Sequence, residues 1–104
     1  MFLAKVTGSV VATQKVASMT GRKLLTVDPL RIEPAKRDQL VSTGRTFVVV
    51  DTVGAGLGEM VLIVQGSSAR LTPETEKLPV DATIIGIVDT IHVENKTIFS
   101  AHKE

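Results

Sequence analysis

The residues that invite a chemical reading lie in one stretch, VGAGLGEMVLIVQGSSAR, from Val53 to Arg70. Gly54, Gly56 and Gly58 make a G-x-G-x-G run of the kind that can cradle phosphate. A dinucleotide fingerprint needs G-x-G-x-x-G after a strand and at the opening of a helix, so that backbone amides meet the pyrophosphate. Here the third fingerprint position is Glu59, an anion where phosphate would sit. The next residues, Met60–Val64, are an apolar run that reads as a strand and not as a helix. No Gly-Lys-Ser/Thr is present, so the Walker pattern fails as well. A structural role fits better. Glycine supplies positive φ and close backbone approach, and Gly54, Gly56, Gly58 and Glu59 together read as a tight or bulged turn between two strands.

The remaining chemistry-bearing residues do not assemble into a site. Arg70 is the one basic residue between Arg45 and Lys77. It could bind an anion or line a pore; an ion pair with Glu59, or with an acid on a neighbouring copy, is the preferred reading. His92 and His102 fall in no H-x-x-x-H or H-E-x-x-H spacing and read as surface or hairpin histidines. Asp81 and Asp89 flank a strand, but acid–base work needs a pocket that the sequence does not show. Ser67 and Ser68 lack a G-x-S-x-G elbow. No catalytic residue, no metal site and no cofactor is expected, and the chain does not read as an enzyme.

The elements that would position these residues are short strands. Phe2, Ala4 and Val6 alternate with Leu3, Lys5 and Thr7, and Val10–Ala12 extends that first strand. Lys23–Val27, Phe47–Val50, Met60–Val64 and Ile84–Ile91 come next. Thr97–Phe99 then forms a hairpin with the fifth strand, through a turn at Glu94-Asn95-Lys96. The best helix candidate is the stretch after Pro34, with Ala35, Leu40 and Val41. A single helical turn is expected near Ser67, whose hydroxyl can cap the exposed amides. Five or six short strands in 104 residues suggest a small closed or partly open β-barrel.

Three of these strands, Phe47–Val50, Met60–Val64 and Ile84–Ile91, do not alternate apolar with polar residues, as a barrel strand facing water should. Both faces of each want burial. A small single-layer barrel has one inside, so its outer face must be covered by a helix, a loop or another copy. The near absence of helix favours another copy.

Bulk composition narrows the functional classes. With 104 residues the chain reads as one domain, 1–104, and with no cysteine it has no disulfide framework and no thiolate site. Its N-terminus lacks the layout of a signal peptide, and no apolar run approaches the roughly 18–20 residues needed to span a membrane, so a cytoplasmic soluble protein without membrane partners is expected. The net charge of +1 is too balanced for a nucleic-acid footprint. That charge is uneven: residues 1–52 carry 8 basic and 4 acidic groups, residues 53–104 carry 4 and 7. Such a division suits head-to-tail packing of copies, with chance unevenness as the equal alternative. Binding of single-stranded nucleic acid by a small barrel is the alternative. It would use stacking aromatics, but the chain has three phenylalanines and no tyrosine or tryptophan, and Phe47 and Phe99 read as core.

Several motifs carry a family resemblance over nearly the whole chain. They are Gly8–Lys15 with Thr20–Leu25, Asp51–Glu59 with Gly66–Arg70, and Pro79–Ala82 with Gly86–Asp89. The chain resembles the pentameric vertex proteins of bacterial microcompartment shells, of the carboxysome and ethanolamine-utilisation type. The resemblance implies an all-β (mainly β) fold: a small five-stranded OB-like β-barrel with at most one short helix, assembled as a ring. It implies a structural function, in which pentamers cap the vertices of a polyhedral shell of hexagonal tiles around encapsulated enzymes. The expected partners are further copies of the chain and hexagonal microcompartment shell proteins. By the same resemblance, Gly66, Ser67, Ser68, Ala69 and Arg70 lie near the subunit interface and the fivefold opening. Residues 31–46 depart from the shorter, glycine-rich turn of many relatives and are expected as an exposed loop with four basic residues.

Overall fold

A computed structural model describes residues 1–76 and 79–101. Among these residues eight strands form in chain order: β1 (Phe2–Val10), β2 (Lys23–Ile32), β3 (Leu40–Ser42), β4 (Phe47–Asp51), β5 (Met60–Gln65), β6 (Ala82–Ile87), β7 (Thr90–Val93) and β8 (Lys96–Ser100). The helical content of the described residues is two 3-10 turns, Ala17–Met19 and Gly66–Arg70. Five strands close a barrel in the order β1-β5-β6-β4-β2, with β2 returning to β1. All these pairs are antiparallel except β4 with β6, which is parallel. This is the expected OB-like barrel.

Alternation builds the core. Ala4 and Val6 of β1, Leu25 and Val27 of β2, Val49 of β4, Val61 and Ile63 of β5, and Ala82 and Ile84 of β6 fill the interior, together with Ala55 from the turn before β5. Phe2 and Phe47 close one end of it, ring edge to ring face, with centroids 5.6 Å apart. Ile63 is fully buried, so Ile63→Ala is expected to cost about 2–5 kcal/mol, from lost transfer energy and the cavity left behind. A denaturation midpoint unchanged by this substitution would place Ile63 outside the core.

The outer face is only partly covered by the chain itself. Val50 pairs with Leu24, on the faces opposite Val49 and Leu25. Val50 is buried with Val80, and Met19 and Leu24 pack against them. The first 3-10 turn and the segment before β6 thus shield part of this face, which assigns to loops some of the coverage expected from another copy. One pair further along the same face the shield ends, and Val48 is 53% exposed.

Three sequence expectations are corrected here. The helix expected after Pro34 is absent: Leu40 and Val41 lie in β3, paired with Ile32 and Arg31 of β2. Pro29 explains why β2 changes partner. It has no N–H to give to a ladder, and β4 pairs with β2 only as far as Val27, while β3 takes over from Leu30. The fifth strand is not continuous to Ile91. It stops at Ile87, and Thr90–Val93 pairs with β8 in a separate two-stranded sheet. Phe99 accordingly belongs to that hairpin, half-buried, and not to the barrel core. The expected hairpin turn does form, with Glu94 and Asn95 at positive φ.

Residues 33–39 form an ordered turn because Glu33 organises it. Its carboxylate accepts the amides of Lys36 (2.6 Å) and Ala35 (2.9 Å). These bonds, the Lys36 one first, hold its pKa below the ordinary 4.5. A depressed carboxylate pKa adds stability that is present above the ordinary value and lost as pH falls through the lowered one. The Ala35 and Lys36 amides are therefore expected to lose exchange protection only below about pH 4.5, and Glu33→Gln should remove that pH dependence. Protection that fades well above that pH would assign the turn another anchor.

Candidate functional site

The two sequence signatures lie at opposite ends of β5. The glycine turn leads into the strand, and the Gly66–Arg70 turn leaves it.

Asp51 holds the glycine turn. Its side chain is 1% exposed. Oδ1 accepts the amides of Val53 (3.0 Å) and Gly54 (3.1 Å), and Oδ2 accepts that of Ala55 (2.8 Å). Lys23 Nζ lies 3.4 Å from Oδ2 and donates to the Ala55 carbonyl at 2.8 Å. The amide of Gly56 donates to Glu59 Oε1 at 2.6 Å. Four successive amides thus converge on anions, as in a phosphate-binding loop. Both anions, however, are carboxylates of the chain itself. The loop is clasped and has no amides left for a phosphate along Val53–Gly56. Gly54 and Gly58 have φ of +79° and +84°, where a side chain would be strained. Ala55, fully buried, plugs the turn into the core. The amide of Gly58 donates to Val6 and that of Val6 to Glu59, which sews the turn to β1.

The Gly66–Arg70 turn is anchored by threonines. Ala69 is fully buried, and its carbonyl accepts the hydroxyls of Thr75 (2.7 Å) and Thr83 (2.9 Å). The Gly66 amide donates to Asp81 at 2.7 Å. Gln65 stands at the N-cap without a side-chain bond, so the helical turn expected near Ser67 is present, but no hydroxyl caps it. Ser67, Ser68 and Arg70 are exposed. The ion pair expected between Arg70 and Glu59 is not formed within the chain: Arg70 Nη1 donates to the Val80 carbonyl at 3.1 Å, and Glu59 binds Gly56.

The other candidates are not brought together. His92 is exposed and bonded through Nδ1 to the Thr97 hydroxyl, and His102 lies outside the described residues. Asp81 and Asp89 sit beyond opposite ends of the six-residue β6, about 20 Å of strand apart, which is too far for a shared acid–base step. Among the described residues no three His, Asp or Glu side chains gather around a metal position. Phe2 and Phe47 pack on the barrel core and do not form a stacking platform. The sequence places both Asp51 and Lys23 within motifs and gives neither a role. The available signal was an aspartate two to four residues ahead of a glycine cluster, where such side chains habitually bond the backbone just after them.

A closed five-stranded barrel with an internally clasped glycine loop puts the chain in the class of small closed β-barrel proteins. The comparisons with known proteins place this chain within that class. Residues 1–89 match the family model described as ethanolamine utilisation protein EutN/carboxysome, and the chain belongs to that family. It is 46% identical over 95 residues to the bacterial microcompartment shell vertex protein GrpN of Rhodospirillum rubrum, covering 91% of this chain and all of that one. The solved structure of Gloeobacter violaceus CcmL superimposes with a TM-score of 0.86 at 41% identity, over 99% of this chain and 100% of that one. The solved GrpN structure, described as a pentameric microcompartment shell protein, superimposes with a TM-score of 0.73 over 89% of this chain and 98% of that one.

Proposed function

We propose that this chain is a structural, non-enzymatic subunit, folded as one domain over residues 1–104, that assembles into a ring of five and caps the vertices of a bacterial microcompartment shell in the cytoplasm. The likeness over nearly full length to a relative described as pentameric carries this reading. A flat hexagonal sheet cannot close on itself, and pentagons at its vertices supply the curvature, so hexagonal shell proteins are the ring's outer partners. The clasped loop supports a role without a bound cofactor, because its amides serve the fold. In the ring, Gly66–Arg70 lies at the subunit contact beside the opening, where small residues let backbones approach.

Nucleic-acid binding, the alternative for such a barrel, finds no support in the relatives or in the placement of the aromatic rings. The direct test is the native mass of the purified protein. A discrete five-chain species is the expected result. A stable single chain at micromolar concentration would overturn the assignment.

A further inference from the structure

A polar residue is sealed on the outside of the barrel, beneath the Gly66–Arg70 turn. Thr83 stands in β6 between Ala82 and Ile84, which both belong to the core, so strand alternation points it outward. Its neighbour across the sheet is Val50, which also lies on the outer face. Thr83 is nevertheless fully buried, and so is Thr75 in the segment after the turn. Both hydroxyls donate to the Ala69 carbonyl, at 2.9 and 2.7 Å. A carbonyl oxygen has two lone pairs, and the two hydroxyls use both. Since the Thr75 proton goes to Ala69, the Thr72 hydroxyl supplies the proton of the 2.6 Å bond between Thr72 and Thr75.

The rest of the turn is tied to the segment that leads into β6. The Gly66 amide donates to the Asp81 carbonyl, and the Arg70 guanidinium donates to that of Val80. The two ends of the turn are thus held by backbone carbonyls, and its middle is held by threonine hydroxyls. Ala69 is drawn inward and fully buried, while Ser67 and Ser68 are left exposed.

We infer that Thr75 and Thr83 are positioning residues for assembly: their hydroxyls fix the height and tilt at which Ser67 and Ser68 meet the next copy. This inference rests on the ring reading above, with Gly66–Arg70 at the subunit contact, and it names the side chains that prepare that contact from beneath. The physical cause is pre-organisation. Valine keeps the branched shape of threonine and removes the hydroxyl. Valine at both positions leaves the Ala69 carbonyl buried without its two donors, a penalty that the turn escapes by lifting toward water. A contact made by one shape of the turn weakens in proportion to the population of that shape.

The test compares the native mass of the parent, of Thr75→Val/Thr83→Val and of Thr75→Ser across a dilution series. The valine pair is expected to come apart at a concentration at least tenfold higher than the parent, as when roughly a tenth of the turns hold the contact shape. Its separated chains should keep the far-ultraviolet spectrum of the barrel. Thr75→Ser retains the hydroxyl and should assemble at the parent concentration. A valine pair that assembles like a five-chain parent would overturn the inference and leave the ring reading standing. Rings lost together with the barrel spectrum would overturn it too, by assigning the hydroxyls to the fold itself. Thr75→Ser rings as weak as those of the valine pair would do the same, by assigning the effect to the methyl group. A parent without a five-chain mass would sink the ring reading and this inference together.

Discussion

Asp51→Ala is expected to lower the unfolding free energy by about 2–4 kcal/mol, a large fraction of the stability of a small domain. The substitution removes a buried carboxylate that accepts three amides and faces the Lys23 ammonium. Each hydrogen bond to a charged group contributes about 1.5–3 kcal/mol. Val53 and Gly54 are exposed, so water replaces the acceptor there, whereas Ala55 is fully buried and its amide would be orphaned. Asp51→Asn should cost less, because Oδ1 still serves Val53 and Gly54, but its NH₂ would confront the Ala55 amide, donor against donor. Lys23→Met should cost least, about 1 kcal/mol or below, since the lysine side chain is 53% exposed and such pairs are weak. Chemical denaturation at one fixed protein concentration checks the order, because assembly adds its own concentration-dependent stability. An Asp51→Ala loss below about 1 kcal/mol would mean that the glycines alone shape the turn.

The strands were legible because their pattern is local. Phe2–Val6 alternates, and Lys23–Val27 and Met60–Val64 are short, mostly apolar runs between turn residues, so period and punctuation mark them without knowledge of the fold. β3 was not legible because Leu40 and Val41 have too few apolar neighbours in sequence to declare a strand, and it is pairing with Leu30–Ile32 that makes them one. The break after Ile87 was hidden for a related reason. Val88 is apolar and continues the pattern, but its amide donates to Met60 and the ladder of β5 ends there, so there is no partner to keep β6 in the barrel.

The candidate site divides the same way. That Gly54 and Gly58 suit a turn is a consequence of glycine chemistry, and both have positive φ. That the loop supplies its own anions depends on where Asp51 and Glu59 fold back, and Lys23 joins them only through the pairing of Lys23 with Asp51 across β2 and β4. The doubly apolar strands signalled an outer face in want of cover, and the chain itself covers only part of it. They did not say which part the chain covers itself, because Met19 and Val80 reach Val50 from segments without any regular pattern.

Ser68→Trp is expected to abolish the five-chain ring while leaving the barrel intact. Ser68 is exposed in the chain, and the buried anchor of its turn is Ala69, held by Thr75 and Thr83. A substitution at such a surface position changes the stability of the barrel itself by only about 0.5 kcal/mol either way. An interface built on small residues responds differently. Overpacking costs about 1–3 kcal/mol at each contact, and a closed ring of five repeats every contact five times, so the strain accumulates to roughly 5–15 kcal/mol per ring. The native mass should therefore move from five chains to one, with the far-ultraviolet spectrum of the β-barrel unchanged, and Ser68→Ala should assemble like the parent. A Ser68→Trp protein that still forms rings of five would show that Gly66–Arg70 does not lie at the close approach of subunits. The contact would then have to be sought elsewhere, beginning with the exposed Val48 on β4.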